Sequence, residues 1–165
     1  MSGRISIYFI LVFVLVFNSN DIRAQENAEK KEFILYPNSE IEHKTIYYTS
    51  FKIVEGGFLV FELTSNNSGD PGNFSEATSK VVFEIAPSIE HFSFNNSEIL
   101  DHHGIYIQLC RCQDQGYNWI DQGQISGEKI DATSWRIEID ITAKGRATGF
   151  GYHIVEAAIF KTSNH

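Results

Sequence analysis

The chain has 165 residues, 42% of them apolar and 13% aromatic, enough for one domain with a substantial core. Its 13 Lys and Arg face 21 Asp and Glu, for a net charge of −8. That sign argues against nucleic acid and against an anionic membrane surface as partners.

Met1 to Arg4 are positively charged, Ile5 to Phe17 form a run of 13 that is apolar except for Ser6, and Ile22-Arg23-Ala24 ends on a small residue. This is the three-part layout of a secretory signal peptide. The run is shorter than the ~20 residues that span a bilayer. The expectation is therefore an exported chain, periplasmic or extracellular, cleaved after Ala24 and not inserted in a membrane. Removing Arg4, Arg23 and Asp21 leaves 11 basic against 20 acidic residues. Gln25 to Glu32 (QENAEKKE) reads as a polar lead-in, and 33–165 as a single domain.

From there the apolar period is close to two. Thr45 to Ile53 places Tyr47, Phe51 and Ile53 on one side. Phe58 to Leu63 is apolar on both faces, as in a central strand. Val81, Phe83 and Ile85 alternate with Val82 and Glu84, and Ile105, Ile107 and Leu109 with Tyr106 and Gln108. Trp135, Ile137, Ile139 and Ile141 alternate with Arg136, Glu138 and Asp140, a half-buried strand with one wet face. Tyr152 to Phe160 also alternates, with a short helix as a second reading around Glu156-Ala157-Ala158. Gly56-Gly57 has the form of a hairpin turn. Ser65 to Lys80 reads as the longest loop. Roughly eight to ten short strands predict an all-β domain. Uneven strand and loop lengths favour an antiparallel β-sandwich, with a closed lipocalin-like β-barrel as the alternative.

The two cysteines, Cys110 and Cys112, flank Arg111. Positions i and i+2 of a regular strand lie ~6.5 Å apart on one face, whereas disulfide Cβ atoms sit ~3.8 Å apart. Export brings oxidants, so a disulfide is expected if the chain bends near Arg111 to Gln113. The alternatives are buried thiols or a soft-metal site completed by His102 and His103, a donor set suited to Zn or Cu. Asn66, Ser68 and Asp70 alternate like the first ligands of a calcium loop, but Pro71 and Ala77 stand where Gly and Glu would be needed. Tyr117, Trp119, Tyr47 and Tyr48 form a candidate aromatic platform, with Asp70 as a further ligand-binding candidate. The alternation about Trp119 predicts burial instead. Glu138 and Asp140 share one polar strand face, where a catalytic role competes with simple solubility. Asn66, Asn73 and Asn95 begin N-x-S sequons, relevant only to a eukaryotic secretory route.

Phe83-Glu84-Ile85, Cys110-Arg111-Cys112, Gly123-x-Ile125-Ser126-Gly127-x-Lys129-Ile130 and Trp135-x-Ile137 resemble uncharacterised exported proteins of Bacteroidetes-type bacteria. The resemblance covers about half of the domain, implies an exported bacterial setting and carries no activity. The expected function is a non-enzymatic exported binding or interaction module for a glycan, a peptide or a partner protein. The alternatives are a metal-binding protein and a small hydrolase with an unrecognised site.

Overall fold

The structure, a computed structural model, describes residues 29–45, 49–67 and 77–162. The expected signal segment, Tyr47, Tyr48, Asn73 and Asp70 lie outside the described residues. Nine strands and one short helix follow in order: β1 (Lys30–Thr45), β2 (Thr49–Glu55), β3 (Phe58–Asn67), β4 (Ala77–Ile85), β5 (His91–Asn95), α1 (Glu98–Asp101), β6 (Ile105–Leu109), β7 (Gly116–Lys129), β8 (Ser134–Lys144) and β9 (Gly151–Thr162). The all-β, antiparallel expectation holds. No helix among the described residues is long and apolar enough to cross a membrane.

The strands form one sheet in the order β2-β1-β3-β4-β6-β7-β8-β9, with β5 paired to β7. The sheet curls until β9 meets β1 in parallel, through Ile34 opposite Lys161 and Leu35 opposite Thr162. It therefore faces itself across one core, as a sandwich does, and closes at its ends, as a barrel does. β7 pairs β8 along one edge and β6, then β5, along the other.

Alternation explains the inner face. On β8, Trp135, Ile137, Ile139, Ile141 and Ala143 are buried, while Arg136, Glu138 and Asp140 face solvent. They join Leu35, Phe61, Phe83, Ile125 and Phe160 in the main core. Phe61 stands at its centre, stacked on Phe83 with ring centroids 5.0 Å apart and edge-on to Trp135 and Phe160.

A second core lies on the opposite face. Val60, Val82, Ile105 and Ile107 point away from the main core and are covered by Ile41, with Tyr36, Phe51, Ile53 and Tyr117 around them. The cover arises because β1 breaks register between Tyr36 and Ser39, where Asn38 takes a left-handed φ of 50°. Beyond that bulge β1 turns to β2, and the pair packs over β3, β4 and β6.

The structure corrects three local expectations. Gly56-Gly57 does not close a hairpin, since Ser39 of β1 sits between Glu55 of β2 and Phe58 of β3. The glycine is required by the close approach instead, because a Cβ at Gly56 would stand 2.5 Å from Glu40 Cβ. The long loop is shorter than expected, since Ser65, Asn66 and Asn67 continue the ladder against Ser79, Thr78 and Ala77. The strand reading of Tyr152 to Phe160 holds, and residues 156–158 belong to β9, paired throughout with β8. Part of the expected lead-in is also structured: Lys30, Lys31 and Glu32 are rungs of β1 against β3.

Candidate functional site

β6 ends at Leu109, and the chain bends through Cys110 to Asp114. Cys110 and Cys112 are joined there, with Cα atoms 5.3 Å apart. His103 and Cys110 lie at opposite ends of β6, separated by roughly 20 Å of extended chain. The four donors His102, His103, Cys110 and Cys112 are therefore not gathered into one site. Among the described residues no group of three or more His, Cys, Asp and Glu side chains is placed to hold a metal ion.

Both histidines turn onto Glu84 of β4 instead. His102 Nδ1 donates to the Glu84 carbonyl at 3.1 Å, and its ring stacks on Phe94. His103, in a left-handed conformation, places Nδ1 2.7 Å from Glu84 Oε1. Glu84 is buried, and its Oε2 accepts the Ile41 N–H at 2.8 Å. His43 of β1 packs between His103 and Trp119, with ring centroids 5.1 and 5.4 Å away. Both His43 ring nitrogens are buried without a hydrogen-bond partner. Burial, followed by the neighbouring His103, holds the His43 pKa below its ordinary 6.5. This cluster fastens the β1–β2 cover to the sheet. Trp119 is 50% exposed, so the expectation of burial fails: its face of β7 is only partly covered. Tyr117 is half-buried, edge-on to Phe51.

A second polar network anchors the turn between β8 and β9. Asp114 accepts the Ala147 and Thr148 N–H groups, each at 2.9 Å, and the hydroxyls of Thr148 and Tyr152. The Thr148 hydroxyl leads these bonds in holding the Asp114 carboxyl at about 2, below its ordinary 3.8. Asn118 Oδ1 accepts the Arg146 N–H at 3.0 Å. The network holds the Tyr152 hydroxyl, and Phe150 meets the Tyr152 ring edge-on at 5.1 Å.

Those two aromatics lead to a cleft of about 560 Å³ at one end of the barrel. Leu63 and Ser65 of β3 and Ser79 and Val81 of β4 form one wall, and Tyr152, Ile154 and Glu156 of β9 form the other. Tyr106 stacks on Tyr152 at 5.3 Å between the walls, and its hydroxyl bonds Ser79. Burial raises the pKa of both tyrosines, so both keep their protons at neutral pH. At the rim Lys31 pairs with Glu156 and with Glu29, the latter at 3.0 Å, and Glu29 also accepts the Ser65 hydroxyl. The pairing with Glu156 leads in raising the Lys31 pKa. The cleft opens where β1 and β9 are tied by these side chains rather than by the ladder, which begins only at Ile34.

Sequence reasoning found Trp119, Tyr117 and the histidines. It missed Glu84 and His43, and it missed the cleft altogether. No family model matches the chain, and no curated protein or solved structure matches it.

Proposed function

We propose that the protein is an exported binding module that takes a small ligand into the cleft between β9 and the β3–β4 wall. The observation that supports this most directly is the cleft itself. It is concave, opens toward the main core, and combines apolar and aromatic walls with a few placed hydroxyls, the usual make-up of a ligand site. Its carboxylates already have partners: Glu156 is held by Lys31, and Glu29 by Lys31 and Ser65. A catalytic acid or base needs a proton to exchange with substrate, and these groups are committed to one another. Export is inferred from the apolar leader and Ala24.

The test is a ligand-observed NMR screen of a fragment library against the protein and against Ser79→Trp. The indole would project into the cleft from the β4 wall and obstruct it, and an unchanged melting temperature confirms folding. Fragments bound by the parent and lost in the variant are the expected result. Fragments that ignore the substitution, or no bound fragments at all, would overturn the proposal. Export has its own test, N-terminal sequencing of secreted material, which should begin at or near Gln25. An intact Met1 chain held in the membrane would contradict it.

A further inference from the structure

We infer that the ligand of this cleft is a neutral sugar ring, bound with one face against Phe150 and its hydroxyls toward Ser65, Ser79 and the two tyrosines; the inference rests on the binding reading above. Three classes of ligand place different demands on a wall. A fatty chain needs a continuous apolar lining, but Ser65, Ser79 and the rim charges interrupt Leu63, Val81 and Ile154. An anion needs an unpaired cation, but Lys31 is held by two carboxylates, and His153, also lining the cleft, lies 2.8 Å from Asp140. A sugar ring has C–H faces that pack on aromatic rings and an equatorial belt of hydroxyls that both donate and accept.

The cleft meets those last demands. Phe150 is 63% exposed beside Tyr152, an aromatic face left in water where a core residue would be covered. The turn holds the backbone that carries this ring, because the Gly145 N–H donates to the Phe150 carbonyl at 2.8 Å and the Phe150 N–H to the Thr148 hydroxyl at 3.0 Å. Hydroxyls lie along the β3–β4 wall and on the tyrosines; Ser65 and Tyr152 donate theirs to Glu29 and Asp114, so toward a ligand they present acceptor lone pairs for its own O–H groups. Behind the tyrosines, Gln108 Oε1 and Asn118 Nδ2 are buried without a partner. These are one acceptor and one donor on the inner faces of β6 and β7, next to Tyr106. They lie beneath the cleft floor and do not line it, so the ligand's hydroxyls face the serines and tyrosines instead.

The experiment is calorimetric titration of the full chain with methyl β-glucoside, methyl β-galactoside, methyl α-mannoside and N-acetylglucosamine. Sodium decanoate and inorganic phosphate serve as comparison probes. At least one sugar should saturate a single site with a Kd of ~1 mM or tighter. Phe150→Ala should weaken that binding at least ~10-fold without moving the melting temperature, since the ring is exposed. Saturation that ignores Phe150→Ala would overturn the assignment of the platform. Decanoate or phosphate binding that is lost in Ser79→Trp, with every sugar silent, would overturn the sugar class and leave the cleft reading standing. Silence from every probe would overturn both.

Discussion

Asp114 collects four hydrogen bonds from the 145–150 turn and Tyr152. Its folded pKa of about 2 lies below the ordinary 3.8. The ionised form is therefore favoured by folding, and its contribution is complete above about pH 4 and lost as pH falls toward 2. Asp114→Asn should lower the urea midpoint at neutral pH and flatten the acid limb of stability between pH 4 and 2, checked by urea melts across that range. Gly145 backs onto the same carboxylate, since a Cβ there would stand 2.3 Å from Asp114 Oδ2. Gly145→Ala should therefore destabilise the turn although the site looks permissive in sequence. An unchanged melting temperature would mean that the turn has room to shift. Nothing in the sequence marked Asp114, because Asp before Gln-Gly reads as an ordinary turn residue. Its partners come from a segment more than thirty positions away.

At the scale of elements, the inner face of the sheet was legible and the outer cover was not. Ile137, Ile139 and Ile141 alternate with charges, and a two-residue period admits only one orientation once a core is available. Ile139→Ala should cost ~2–5 kcal/mol by urea unfolding, and a loss below ~1 kcal/mol would contradict its place in the core. Glu84 alternates with Phe83 and Ile85, which places it on the outer face but does not show that this face is covered. Val82, Ile105 and Ile107 lie on that same outer face and are apolar, whereas the alternation of Ile105 and Ile107 with Tyr106 pointed them inward, where Tyr106 stands instead. The β1–β2 pair buries the outer face, and with it His43. Folding holds His43 neutral, with His103 and Glu84 as the titratable groups facing it. Stability should therefore fall as pH drops below 6.5 toward the lower folded value. His43→Leu should remove that part of the slope and melt no lower than the parent at pH 7, since it deletes two buried nitrogens that lack partners. A melt that keeps the full slope would mean that another group carries the pH dependence.

For the whole molecule, β3, β4 and β8 were legible because each strand carries its own pattern. The order in which strands meet was not, because β1 joins β2, β3 and β9 through contacts up to 127 positions apart. The cleft inherits that difficulty, since its walls come from five strands with only ordinary Ser, Tyr and Leu to announce them. Trp119 drew attention by residue type, yet it lies on the outer face beside His43, whereas Phe150 and Tyr152 stand at the mouth of the barrel. The most direct measurement is chemical-shift mapping of the isotope-labelled chain with whichever probe binds. Perturbations should gather on Ser65, Ser79, Phe150, Tyr152 and Ile154, with the amides of Trp119 and His43 unmoved. A footprint centred on Trp119, Tyr117 and His43 would contradict the cleft as the functional site.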